Sequence, residues 1–362
     1  MSEWTYAKKR GADHSRRDLS RAVARKGLGR VTAPPQTPER APEGPKRETS
    51  PMRVVLLGST GTIGRATAHA LAARGHEVVR FGRGPADEAN RPVDFADPAS
   101  ILARGFRGER FDAIVSCMAS RTGAPYDAWL VDHRFHLNAL EAARAAGVAR
   151  FVSLSAICVQ RPKLAFQHAK LAFEAALAES GLGYSIVRPT AYFKSLSGQF
   201  ARVKSGKPFV MFGAGDLTAC TPISDRDVAD YLADCLTDPA RWNRILPIGG
   251  PRPAIHPRAQ GEMLFAALGI KPRFRSVPVA LLDSIIAGLS LAGRVSAKLR
   301  DKAELARIGR YYATESMLVF DAQTGRYDRA ATPATGRDTL ADHFAALAAG
   351  ASPPERGDHA VY

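Results

Sequence analysis

Three glycines, Gly58, Gly61 and Gly64, stand in "LLGSTGTIG" between a short apolar run and a helix-forming segment. At such a strand-to-helix turn glycine lets the backbone approach a pyrophosphate, and the N–H groups at the helix start stabilise its charge. The whole turn, Gly58, Ser59, Thr60, Gly61, Thr62, Ile63 and Gly64, is therefore the predicted dinucleotide cradle. An NAD site would carry an acid at the end of the second strand, but "VVRFGRG" has Arg80 and Arg83 there. A guanidinium pairs with a 2′-phosphate that a carboxylate would repel, so NADPH is the expected cofactor, with Arg83, just past the strand, as the better contact. Further on, "LAFQHAKLAFE" puts Phe166 and Lys170 four residues apart, on one face of a helix. Lys170 can bind ribose hydroxyls and stabilise developing negative charge; Phe166 has no proton to give.

From Met52 onward the chain supplies the elements that such residues need. Apolar runs ("RVVLLG", "EVVRFG", "FDAIVSC", "RFVSLS", "YSIVRP") alternate with helical segments closed by Gly75, Gly147 and Gly181. This order predicts an α/β fold, a doubly wound parallel sheet with a smaller, mostly helical C-terminal substrate lobe. The expected divisions are a basic Pro-rich arm at 1–50, a Rossmann-like NADPH-binding core at 51–190, a lobe with remaining core elements at 191–345 and a flexible tail at 346–362. "KPFVMFGAGDLTACTPIS" reads as a hairpin, and 277–318 as mostly helical. Within the latter, "VALLDSIIAGLSLAG" is expected to be a buried helix or a lid; an interfacial helix would need cations lining one face, though peripheral membrane association stays open.

Composition narrows the partners. The formal net charge is +16, of which +6 falls in the first fifty residues, with 12 Lys and Arg against 6 Asp and Glu. That arm holds few large apolar residues, so it is expected to be disordered. It reads as a solvated tail, or as a stretch upstream of a true start at Met52, ahead of a nucleic-acid or membrane arm; its acids count against a transit peptide. Nucleic acid is not an expected partner, and nothing in the sequence fixes an oligomeric state. The four cysteines, 117, 158, 220 and 235, form no CxxC pair, so neither a metal site nor disulfides are expected, and the location expected is the cytoplasm.

The G-x-x-G-x-x-G spacing, with "VDFADPAS" after the third strand, resembles the extended and atypical short-chain dehydrogenase/reductase superfamily. The resemblance implies that Asp94 and Phe95 contact adenine, while Asp97 has the ordinary alternative of capping the next helix. The superfamily reduces carbonyls with a serine, a tyrosine that donates a proton and a lysine. Lys170 matches the lysine and Phe166 stands at the tyrosine. Ser155 is the nearest match to the serine, although Ser155-Ala156 departs from the usual serine pair. A substrate that needs no phenol is one whose charge delocalises once hydride arrives. Six stretches, among them "SCMASRTGAPYDAW", "LSAICVQRPKLAFQHAKLAFE", "YSIVRPTAYFKSLSGQ" and "DKAELARIGRYYATESMLV", resemble the NADPH-dependent divinyl chlorophyllide a 8-vinyl reductases, in order from about residue 53 to 345. The resemblance implies a tetrapyrrole substrate, with Phe166 as an apolar wall, Tyr192 and Phe193 against the ring and Lys194 on a carboxylate. His133, His136 and His168 read as surface residues. Two rival readings are a reductase of another conjugated alkene or quinone and a catalytically silent NADPH-binding sensor or assembly factor.

Overall fold

The computed structural model describes residues 50–87 and 89–351. The predicted disordered arm before residue 50, and the chain from 352 onward, lie outside the described residues.

Strands β1 (Arg53–Leu57), β2 (Glu77–Gly82), β3 (Asn90–Pro92), β4 (Ala113–Ser116), β5 (Arg150–Leu154) and β6 (Gly183–Pro189) belong to a seven-stranded sheet. Strand β7 (Phe209–Phe212) lies elsewhere, and β8 (Arg244–Ile248) completes the order β3-β2-β1-β4-β5-β6-β8, every pairing parallel. The register aligns Leu57 with Phe81 and Ser116, and Ser116 with Ser153, so the carboxyl ends of the central strands share one edge. Ligands of doubly wound sheets bind along that edge.

Both faces of the sheet are covered, which explains why its strands read as unbroken apolar runs. Val55 and Leu57 point into one core with Phe81, Ile114 and Phe151; Val54 and Leu56 point into the other with Val115, Val152 and Val187. The first core is covered by α2, a helix at 125–145 that runs through a π-helical stretch at Trp129–Phe135, and by α3 (Ala165–Ala178). The second is covered by α1 (Thr62–Ala72) and α4 (Asp225–Asp234), joined by Arg74 to Asp230 at 2.9 Å and to Asp234 at 2.8 Å. The later half of the chain thus contributes both β8 and α4 to the core.

Beyond the sheet, β7 pairs in parallel with β9 (Phe274–Val277), so the expected hairpin does not form. Strand propensity was correctly read there, but the partner comes from beyond α5 (Pro257–Leu268). Phe200, Phe209, Phe265 and Phe344 fill a separate small core, closed by α8 (Leu340–Ala348). This helix runs into the stretch expected to be a flexible tail, because Leu347 has an apolar core to enter. The helical expectation for 277–318 is met by α6 (Val279–Ala292) and α7 (Ala297–Thr314). No residue of α6 is buried, and Leu281, Ile285 and Leu291 are exposed, so it is not the expected buried helix. Among the described residues no helix is long and apolar enough to cross a membrane.

Phe81, 1% exposed, meets Phe106 edge-on at 5.2 Å and Phe111 at 6.0 Å. Phe81→Ala should cost about 3–5 kcal/mol, read as a lowered urea midpoint; an unchanged midpoint would mean that this aromatic cluster contributes little.

Candidate active site

The glycine turn leaves β1 at Gly58, whose φ of +73° suits glycine and whose added Cβ would stand 2.6 Å from the Cys117 carbonyl carbon at the end of β4. At Gly64 an added Cβ would strike the Gly58 carbonyl oxygen at 2.1 Å, so this glycine lets α1 start tight against the turn. Gly61 is different: nothing approaches its Cβ position closer than 3.5 Å. Internal packing therefore does not require glycine there; an open cradle for a pyrophosphate does, and the turn fits a dinucleotide. Thr60 is exposed, with its carbonyl accepting from Arg65, while Ser59 and Ile63 are half-buried. Lys194 was expected on a substrate carboxylate. Its Nζ instead donates to Thr62 Oγ1 at 2.9 Å, because the loop after β6 returns over the turn.

At the end of β2, Arg80 is paired with Asp87 at 3.1 Å, whereas Arg83 is exposed and has no ion pair among the described residues. Asp94 is exposed, its carboxylate accepting from the Ala96 N–H; the Phe95 ring is buried against Phe135. Asp97 takes its ordinary role, capping the next helix by accepting from Ala99 and Ser100 N–H groups.

Lys170 points inward. Its Nζ donates to Asp132 Oδ1 at 3.0 Å, and the Asp132 side chain is fully buried. Asp132 sits on the π-helical stretch of α2 and also accepts from Ser120 N–H, in the loop after β4, at 3.2 Å. Ser155 lines the same small cavity, but its hydroxyl donates to Glu174, which also holds Arg188. Ser155, the nearest match to the superfamily's serine, is therefore committed to a buried ion pair. His136, expected on the surface, is 2% exposed. Its Nδ1 lies 2.8 Å from the Val131 carbonyl and its Nε2 2.9 Å from Ser116 Oγ, so Nδ1 carries the proton and the serine donates to Nε2. His168 is exposed, as expected, and His133 is half-buried.

Phe166 is half-buried and packs with Leu164, Ile308 and Tyr311 under α7. Phe193 is 4% exposed, in the lobe core beside His343, so it is not a face for a substrate ring. Tyr192 stays near the edge of the sheet, where burial raises its phenol, with Cys117 and Cys158 close by. Helix α7 is tied down at its end: buried Glu315 binds Arg161 at 2.8 Å, Tyr327 at 2.6 Å and Lys163. Tyr311 donates to the Cys158 carbonyl at 2.8 Å. Sequence reasoning missed Asp132, Glu174, Arg188 and Ser116, since a charged residue within a helix or at a strand end carries no mark of burial. Among the described residues, no group of His, Cys, Asp and Glu could hold a metal ion.

Burial, with the Lys170 charge added, pushes His136 down to about 4. The unfolded chain takes up this proton near pH 6.5, so the stability His136 contributes is complete above that pH and falls away towards pH 4, by on the order of 3 kcal/mol. Urea midpoints should drop across this window, and His136→Gln should flatten the drop; an equal slope in both proteins would assign it to other groups.

A family profile described as NAD(P)H-binding matches residues 58–239. The chain is 43% identical to the chloroplastic divinyl chlorophyllide a 8-vinyl-reductase of Zea mays, over 94% of this chain and 92% of that protein. It is 41% identical to the Arabidopsis thaliana protein of the same name, over 88% and 80%. Among solved structures it resembles the NADPH-dependent quinone oxidoreductase of Escherichia coli complexed with NADPH, with a TM-score of 0.59, 19% identity and coverage of 81% of this chain and 99% of that one. That likeness supports the fold. The relatives overturn one expectation: they are chloroplastic proteins, so the family does not bear out the cytoplasm as the location. The NAD(P)H-binding match begins at Gly58, the first residue of the glycine turn, and the chain belongs to the divinyl chlorophyllide a 8-vinyl reductase family.

Proposed function

We propose that the chain reduces the 8-vinyl group of divinyl chlorophyllide a, or of divinyl protochlorophyllide a, to ethyl, with NADPH as the hydride donor. The observation that carries this reading is the identity above 40% to reductases of that name along nearly their whole length.

Bound NADPH supplies the hydride. Gly58 and Gly61 admit the pyrophosphate to the start of α1, and Lys194, already beside Thr62, adds a cation there. Arg83 pairs with the 2′-phosphate and Asp94 meets the adenine edge. Asp132 fixes the Lys170 ammonium in one orientation, towards the ribose hydroxyls. Phe166 and Tyr192 offer the flat apolar walls that a tetrapyrrole needs. With Phe166 at the usual place of a phenol, the site lacks the standard partner for an alkoxide, which favours a conjugated vinyl group over a carbonyl.

Peripheral membrane contact belongs to the same reading. Leu281 and Ile285 form an exposed apolar stripe on one face of α6, Leu291 and Val295 are exposed near and just beyond its end, and the exposed cations Arg275, Arg294 and Lys298 flank the helix. An apolar stripe between cations suits an anionic lipid surface, from which a greasy pigment can be taken up.

Purified protein with NADPH should convert divinyl chlorophyllide a to its monovinyl form, seen as a blue shift of the Soret band. Tight NADPH binding with no shift would favour the sensor. In the same assay Arg83→Ala should narrow the preference for NADPH over NADH by about tenfold; an unchanged preference would remove Arg83 from the 2′-phosphate site. The protein should also float with vesicles containing phosphatidylglycerol and lose this with Leu281→Glu and Ile285→Glu together. If it stays with the soluble fraction, or floats equally after the substitutions, the stripe is not a lipid contact.

A further inference from the structure

The proposed reaction needs a proton as well as a hydride, and Phe166 cannot give one. The geometry points to Tyr312, on α7, as the acid that protonates the reduced vinyl group. This inference rests on the vinyl-reductase reading.

Three observations place Tyr312. First, it follows Ile308 by four residues, so both lie on one face of α7. An added Cβ at Gly123 would meet Ile308 Cδ1 at 2.9 Å and Phe166 Cδ1 at 3.7 Å, so this face of α7 covers Phe166. Second, the Tyr312 hydroxyl lies 4.0 Å from Cys158 Sγ, and the Cys158 carbonyl accepts from Gln167 on α3, the helix that carries Lys170. A phenol carried by α7 thus meets the segment that leads into the Lys170 helix. Third, Tyr312 is 36% exposed, whereas its neighbour Tyr311 is 4% exposed and spends its hydroxyl on the Cys158 and Arg161 carbonyls. Burial pushes the phenol well above its ordinary range, so it stays protonated at neutral pH and gives its proton only to a strongly basic carbanion such as hydride addition creates.

The step balances as follows. Hydride forms a C–H bond at the terminal vinyl carbon, and the electron pair of the C=C bond passes to the inner carbon and the conjugated ring. The Tyr312 O–H bond then breaks, its proton forms the second C–H bond at the inner carbon, and water restores the phenol. Anchoring of α7 by Glu315 and Tyr311 fixes the face from which this proton comes.

Wild-type conversion of divinyl chlorophyllide must be seen first; its absence would overturn the reading of the function itself, not only the role of Tyr312. Given conversion, Tyr312→Phe should lower kcat about 100-fold or more, while the Kd for NADPH, and the Kd for pigment without NADPH, stay within about twofold. In deuterated water the wild type should place deuterium on the inner carbon with one configuration, and Tyr312→Phe should give a mixture. Tyr192→Phe should keep the single configuration. A Tyr312→Phe enzyme with wild-type kcat and unchanged stereochemistry would overturn the proposal, as would the loss of single configuration in Tyr192→Phe instead. If Tyr312→Phe loses both activity and pigment affinity, Tyr312 is a binding residue and not the acid.

Discussion

A carboxylate sealed from water is tolerable only when a cation meets it, and Asp132 is sealed completely. The Lys170–Asp132 pair therefore constrains much around it. Removing one partner of a buried pair costs about 3–5 kcal/mol, because the other is left charged and unpaired. Helix α2 must present Asp132 inward, which its π-helical stretch does, and α3 must present Lys170 from the opposite side. Ser120 N–H adds the loop after β4 to the same carboxylate. Sheet edge, two helices and a loop thus meet at one pair of charges. Lys170 is consequently a positioned donor and not a free cation, which reduces the electrostatic help that it alone can give a developing anion.

The second organising contact is the anchor on Glu315. Arg161 and Lys163 belong to the segment between β5 and α3, whereas Glu315 and Tyr327 come from the far end of the chain. Their meeting brings α7 down onto the segment that leads to Lys170, and the site becomes a composite of core and lobe. The lobe's own core, around Phe209, Phe265 and Phe344, holds the rest of this later chain in place.

Much of the fold was legible because its signals are local. Apolar runs, glycine stops and the "LLGSTGTIG" turn each follow from backbone rules that act over a few residues, and Asp97 shows its cap within three residues of itself. What could not be read depends on contacts distant in sequence. β7 looks like a strand from its own residues, but nothing local names β9 as its partner. Lys194 lies in a loop that resembles a substrate wall, and only the return of the chain places it on Thr62. Asp132, His136 and Glu174 look like solvated helix residues because burial of a polar group leaves no periodic trace. The apolar composition of α6 implies burial, yet α6 packs chiefly on α7 and keeps an open side, so composition alone misplaces it. Unpaired cysteines speak to redox surroundings and not to address, which is how the cytoplasmic expectation went astray.

The two buried ion pairs have a joint effect. Lys170 is balanced by Asp132 on the wall of one small cavity, and Glu174 on the same wall by Arg188 behind it, while His136 is held neutral. The inner wall of the site is therefore electroneutral, a chamber with strong local dipoles and no surplus charge. An alkoxide with its charge confined to one oxygen would find little compensation there, whereas an anion spread over a macrocycle carries its own. An electroneutral wall of this kind would favour acceptors that share an electron pair widely, a form of chemoselectivity that needs no steric gate.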